Sequence, residues 1–370
     1  MKKFAELLFI GGLVLKIKDK LKNISVLILI SVSGIMLLTL RTRISEAIIS
    51  GLSVCGNVLI PSLFPFMILS SFAVKSGVFG SITRVSAPFM KKIFSLPAEC
   101  FPCLFFGFTG GYPVGASMVS QLYESGKITR NDALHLLSFC VNAGPAFVVT
   151  AVGEMILGSE TAGVIILASV CLASVITGLL FALFKRKTDR EYKITSEKCN
   201  LSQSLAQAVS SSSGSIVSVC AWVLAFSAIS AVISSFIKNK TAQLLYSAFS
   251  EITTGVASAA EFGGIPLVSA AVSFGGICVM CQLIPTIKKC GVKVCEYLAY
   301  RIVNAVLSFL TAKIILLFVP VSVNVFAGIE AQPWSYTAVS SAILLIMSAV
   351  LIFDISAGQN KSLRIYDITG

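Results

Sequence analysis

Between residues 101 and 152 the chain is apolar enough for a lipid bilayer, yet it is broken repeatedly by Gly107, Gly110, Gly111, Pro113, Gly115, Gly144 and Pro145. In hydrocarbon every backbone N–H and C=O needs an internal partner, so irregular backbone at membrane depth survives only where protein buries it or a watery cavity lines it. A simple anchor has no use for such breaks, whereas a solute path does. Composition agrees: 56% of residues are hydrophobic, 12% are charged and the mean hydropathy is +0.90, against roughly 25% charged in an average soluble domain.

Apolar runs near the roughly 20 residues needed to cross a bilayer fall at 24–40, 44–74, 133–152, 161–184, 214–236, 265–287, 294–319 and 334–353, eight predicted spans in all. Two further stretches, 101–126 and 246–264, are rich in Gly, Ser and Thr and read as re-entrant hairpins. With this arrangement 23 of the 29 Lys and Arg lie on one face; Arg41, Arg43, Lys238 and Lys240 lie on the other, and Arg301 and Lys313 fall inside a span. Positive charge is retained in the cytosol, so both termini are expected there. The formal charge of +12 is then explained by topology and by attraction to anionic lipid headgroups, with no role for nucleic acid.

The expected fold class is an all-α polytopic membrane protein, with about eight transmembrane helices and two re-entrant hairpins in an inverted repeat. Its expected domains are an interfacial segment and anchor (1–43), a first repeat (44–184), a cytosolic linker (185–213), a second repeat (214–319) and a final transmembrane helix with its tail (320–370). Residues 4–15 are predicted to lie along the membrane surface. The lysines before residues 24–30 and the Ser31-Val32-Ser33 triplet imitate a signal peptide, but the apolar run continues to Leu40, so an uncleaved anchor is expected. The repeat rests on an echo: Ser53-Val54-Cys55-x-x-Val58-Leu59 returns as Ser218-Val219-Cys220-x-x-Val223-Leu224, and Gly115-Ala116-Ser117 returns loosely as Gly255-Val256-Ala257-Ser258. Each half runs span, hairpin, span, with the hairpins dipping from opposite faces, the plan of many secondary transporters.

Three motifs carry a resemblance: Phe106-Gly107-Phe108-Thr109-Gly110-Gly111-Tyr112-Pro113-Val114-Gly115-Ala116, then Tyr123-x-x-Gly126-x-Ile128, then Leu136-Leu137-Ser138-Phe139-Cys140-x-Asn142-Ala143-Gly144-Pro145-Ala146-Phe147. With Pro61-Ser62-Leu63-Phe64-Pro65-Phe66 upstream, they resemble the sporulation integral membrane protein family, which contains nucleoside-recognition (Gate) domains, over roughly residues 45–320. The resemblance implies a core similar to that of concentrative nucleoside transporters. It also implies a role in endospore formation, moving dipicolinate across the outer forespore membrane.

An anionic pyridine dicarboxylate suits the residues. A helix interrupted at Gly110-Gly111 or Gly144-Pro145 exposes N–H groups and a positive dipole end, Tyr112 offers a ring for stacking, Thr109 and Asn142 offer hydrogen bonds, and Arg301 offers a cation. Glu251, Thr253 and Gly255 on the second hairpin, with Ser273 and Gln282 on the following span, complete the expected substrate site if the hairpin tips meet. Glu251 and Glu261 are also candidates for a coupling proton or cation.

His135 lacks a second histidine for a metal site. Of the 11 cysteines, the pairs Cys100–Cys103 and Cys278–Cys281 have metal-site spacing, but zinc would need all four thiolates gathered in an apolar setting. No metal, cofactor or catalytic residue is expected. The chain has no phosphate-binding Gly-x-x-x-x-Gly-Lys loop and no Gly-x-Ser-x-Gly elbow, so the reading is a transporter and not an enzyme. Its partners are a small organic anion and membrane lipid, and a homo-oligomer stays open. Nucleoside transport and a non-transporting scaffold in spore morphogenesis are the alternatives.

Overall fold

The computed structural model describes residues 23–76, 80–184 and 200–321. The expected surface segment 4–15, the linker residues 185–199 and the last expected span, 334–353, lie outside them. The described residues form helices and no strand. Helix α1 (Asn23–Thr39) meets the next helix at 87°. Helix α2 (Arg41–Val54) passes through a π-helical stretch, Cys55–Leu59, into α3 (Ile60–Lys75). After α4 (Gly80–Phe89) come α5 (Phe101–Thr109), α6 (Tyr112–Glu124), α7 (Arg130–Phe139), the π-helical Phe147–Ile156 and α8 (Glu160–Phe184). The remaining helices are α9 (Leu201–Phe236), α10 (Lys240–Ser250), α11 (Ile252–Phe274), α12 (Gly276–Lys289) and α13 (Val294–Phe318).

Among the described residues four helical stretches are long and apolar enough to cross a membrane: Glu160–Phe184, Leu201–Phe236, Gly255–Lys289 and Val294–Phe318. The bent pair Asn23–Thr39 and Arg41–Asn57 adds a fifth if it counts as one span. The predicted spans 161–184, 214–236 and 294–319 are each single helices, whereas 133–152 is not. Helix α7 stops at Phe139, the backbone is irregular from Cys140 to Gly144, and helix resumes at Pro145. The proline disfavours helical geometry in the residue before it, and the Asn142 side chain turns back to donate to Phe139 O at 2.7 Å.

The predicted span 265–287 is likewise interrupted, at Gly275, whose φ of +86° costs glycine little. The second hairpin turns at Glu251, and its first arm starts earlier than residue 246. Asn239 Oδ1 accepts from the N–H groups of Thr241 and Ala242 at 2.9 and 3.3 Å, so the cap sets the start of α10 six residues upstream of the apolar run. Residues 201–213, assigned to the linker from sequence, are the first turns of α9.

Apart from α4 and the helical turns at 90–94 and 98–100, which precede the first hairpin and have no counterpart before the second, residues 41–184 and 201–318 share an order of elements. A long helix (α2–α3, then α9) leads to a helix–break–helix hairpin (α5–α6, then α10 and the start of α11). An interrupted helix follows, and then a 25-residue helix, α8 or α13. Like elements pack antiparallel. Along α2–α3 and α9, Arg43 Nη1 donates to Ser235 Oγ at 3.3 Å, Cys55 Sγ lies 4.0 Å from Cys220 O, the Ser71 and Ser211 hydroxyls are 3.0 Å apart, and Ser204 Oγ donates to Lys75 O at 3.4 Å. Thus the two copies of the Ser-Val-Cys echo meet where these helices cross. Along α8 and α13, Thr177 Oγ1 donates to Asn304 Oδ1 at 2.6 Å and Thr311 Oγ1 to Ser169 O at 3.0 Å.

The loops that the charge pattern assigns to one face are in contact: Arg130 pairs with Glu296 at 2.5 Å and Lys289 with Glu124 at 3.5 Å. Both long helices turn apolar residues outward, such as Leu172, Leu179 and Leu183 on α8 and Ile302, Val306 and Leu310 on α13, while burying Ser169, Ser174, Thr177, Asn304 and Ser308. That reversal of the soluble pattern suits a lipid surround.

The first hairpin is closed by two glycines. A Cβ placed on either Gly107 or Gly115 would lie 2.1 Å from Cys140 O, so the irregular backbone after α7 lies directly on the α5–α6 crossing. Gly107→Ala and Gly115→Ala should each destabilise by about 1–3 kcal/mol through overpacking, read as a lower midpoint in thermal unfolding of the detergent-solubilised protein. Gly214→Ala, with open space around that position, should leave the midpoint unchanged or raised.

Candidate functional site

An interrupted helix leaves carbonyls without intrahelical partners, and in a membrane water does not satisfy them. Two such C-terminal ends, those of α7 and α11, face each other here. At the α7 end, Leu136 O accepts from Cys140 N–H at 2.7 Å, Ser138 O from Asn304 Nδ2 at 2.6 Å, Phe139 O from Asn142 Nδ2 at 2.7 Å and Val141 O from Arg301 Nη1 at 2.5 Å. At the α11 end, Ala271 O accepts from Gly275 N–H at 2.9 Å, Val272 O from the Tyr112 hydroxyl, Ser273 O from Arg301 Nη2 and Phe274 O from Arg301 Nε at 3.5 Å.

Arg301 therefore bridges both ends. It is 1% exposed, with its guanidinium carbon 5.4 Å from the centroid of the Tyr112 ring. It does not snorkel to an interface. Lys313 does stay at the outer surface, over the Phe309 ring at 4.9 Å.

Arg301 belongs to one buried face of α13 with Tyr297, Asn304, Ser308 and Ala312. Asn304 links three elements, because its amide donates to Ser138 O while its carbonyl accepts from Thr177 on α8. Ser308 Oγ donates to Ser269 O at 3.1 Å, and Ser174 Oγ donates to Asn142 Oδ1 at 2.7 Å. The sequence reading missed Asn304, Ser308, Ser174 and Thr177. The signal was present as polar residues spaced by three and four along an apolar helix, which is one helical face. His135 is a core residue, with Nε2 2.8 Å from Gly178 O and its ring stacked on Phe181.

The tips of both hairpins line one cavity. Its walls include Leu63, Gly111, Tyr112, Gly144, Glu251 and Gln282, with Val54 and Val219 from the Ser-Val-Cys echo. The empty space is about 590 Å³ counting its open mouth, of which about 50 Å³ admits the centre of a water molecule. Four helical starts border it: α6 at Tyr112, the turn resuming after Gly144, α11 at Ile252 and α12. The starts of α6 and α12 carry no side-chain cap, and the first-turn N–H groups of a helix lack intrahelical partners. Gly111, at φ +91°, turns the first hairpin there, 3.5 Å from Gly144 N measured from an ideal Cβ. A separate, smaller space lies along α3, α6 and α9, lined by Ser70, Ser71, Ser117, Ser211, Ser212 and Ser215.

Of the residues expected to bind substrate, Gly111, Tyr112, Gly144, Glu251 and Gln282 line the cavity. Gly110 is the last turn of the first arm, and Thr109 Oγ1 donates to Phe105 O at 2.9 Å. Asn142, Ser273 and Arg301 belong to the carbonyl seam behind the cavity wall. Pro145 starts the resumed helix, Gly255 N–H makes an early bond of α11 to Glu251 O at 2.9 Å, and the Thr253 side chain lies outside what is described. Cys278 faces the cavity, and Cys100, Cys103 and Cys278 are buried free thiols. Burial pushes the Cys290 thiol, in the α12–α13 turn, up to about 11, so it is neutral at physiological pH. Among the described residues no three His, Cys, Asp or Glu side chains are grouped to hold a metal.

Residues 57–224 match the family model described as Gate, nucleoside recognition. This stretch is similar to a Gate domain. It contains the first hairpin and the Asn142–Pro145 break and ends within α9, short of the Glu251 hairpin. Over 148 residues, 40% of this chain, the sequence is 30% identical to the sporulation integral membrane protein YlbJ of Bacillus subtilis (strain 168). The match spans 36% of that relative's length. No solved structure matches. The comparisons agree with the family read from the Gly-Tyr-Pro-x-Gly and Asn-Ala-Gly-Pro motifs, and with the apolar helices they mark an integral membrane protein.

The seam between α13 and the matched stretch makes a measurable prediction. Asn304→Leu should destabilise by about 1–3 kcal/mol, because it leaves Ser138 O unsatisfied. A double-mutant cycle with Thr177→Val should return a coupling of about 0.5–3 kcal/mol, measured by chemical or thermal unfolding in detergent.

Proposed function

We propose that this protein is a membrane transporter of a small organic anion, with dipicolinate crossing the outer forespore membrane as its substrate. The observation that carries the reading is that the tips of two interrupted hairpins meet at one cavity, bordered by four helical starts. Helix N-termini attract carboxylates without a side-chain cation. The order of elements in the two halves, and the antiparallel packing of like elements, support an inverted repeat of about eight spans similar to the concentrative nucleoside transporter core. In such a repeat, rocking of the halves gives alternating access. The charge pattern supports cytosolic termini, and the Gate match and the name of the Bacillus relative support the sporulation setting.

A second reading, nucleoside transport, is favoured by one observation. Glu251 and Gln282 line the same cavity, and a carboxylate with an amide suits a neutral ribose.

Uptake into proteoliposomes, with labelled dipicolinate and labelled uridine offered separately, tests both. The first reading expects saturable dipicolinate uptake. It also expects Glu251→Gln to tighten the half-saturation concentration about three- to tenfold, since a like charge near the anion is removed. Uridine uptake that Glu251→Gln weakens would favour nucleosides, and uptake of neither would support a scaffold.

A further inference from the structure

We propose that Arg301 is a built-in cation, occupying between two interrupted helices the place where a secondary transporter with free carbonyl ends holds a coupling sodium ion. The proposal rests on the transport reading for its consequence, which is that flux does not draw on a sodium gradient. The occupancy of the place is testable without transport.

Unwound carbonyls and the negative C-terminal ends of half-helices are what coordinate sodium in transporters built from broken helices. In this chain two such ends converge, one from each half. What lies between them is a guanidinium tethered to α13, donating to Val141 O from the first half and to Ser273 O and Phe274 O from the second. A planar fork of N–H donors serves carbonyls arriving from several directions, which a lysine ammonium does poorly.

The neighbouring acceptors are also committed. Tyr112 takes Val272 O, Ser308 takes Ser269 O, Asn304 takes Ser138 O and Asn142 takes Phe139 O. The seam's two buried hydroxyls without a hydrogen-bond partner among the described residues, on Ser273 and Tyr297, flank a fixed positive charge. That setting favours water or an anionic atom over a second cation. With the C-terminal ends held by arginine, the N-terminal ends are left to the solute.

Thermal unfolding of the full-length protein in nanodiscs, in matched NaCl, KCl and N-methyl-D-glucamine chloride, tests the occupancy directly. A ligand that binds the folded state raises the midpoint by mass action, so the wild type is expected to unfold within about 1 °C in all three salts. A midpoint several degrees higher in sodium than in the other two would overturn the proposal, because it would reveal a sodium site that Arg301 does not replace. Arg301→Ala should lower the midpoint and regain part of it with millimolar methylguanidinium but not with methylammonium; equal responses to both would also overturn it. If Arg301→Ala does not fold, the wild-type comparison of salts still decides. Should proteoliposomes take up no dipicolinate, the transport reading falls while the salt comparison stands.

Discussion

Arg301 holds the carbonyl ends of α7 and α11 at once, from a helix that belongs to the second half, and the rest of the architecture follows from that contact. A bilayer supplies no water to carbonyls left open by a break, so each break must carry its own hydrogen-bond donors. Here they come from one face of α13 and from Asn142 and Tyr112. Because Tyr112 sits at the tip of the first hairpin and donates to Val272 O, the same seam fixes where the first hairpin lies against the second half. The cavity wall is the outer side of this seam.

The division of labour between helix ends has an electrostatic logic. Negative C-terminal ends are neutralised by a buried guanidinium, while the positive N-terminal ends of α6 and α12 carry no side-chain cap beside the cavity. The cavity presents helix starts, one carboxylate and one amide between walls such as Leu63, Val54 and Val219. Position 111 suits glycine through its φ of +91°, and a side chain on Gly144 would meet Gly111 N at 3.3 Å.

Much of this was legible in the sequence. Glycine and proline in apolar surroundings marked both breaks in the first half, and the Ser-Val-Cys echo marked two helices that do cross at those cysteines. The Lys and Arg pattern brought together loops that the structure joins through Arg130 and Glu296. Other parts were hidden. The Gly144-Pro145 pair marked a break in 133–152 but not its extent back to Cys140, since irregular backbone and helix share the same composition. The start of α10 depended on an asparagine cap among lysines. Arg301 read as a substrate cation because a sequence gives its depth and not the direction of its donors, whereas the spacing of Tyr297, Arg301, Asn304 and Ser308 along one face held the clue that it belonged to a packed seam.

The most direct test is an electron cryomicroscopy structure in nanodiscs with saturating dipicolinate. The account predicts ligand density between Gly111 and Gly144 on one side and Glu251 and Gln282 on the other, with Arg301 still donating to the carbonyls of Val141 and Ser273. Density on the Arg301 guanidinium in place of those carbonyls, or a cavity that stays empty under saturation, would contradict it.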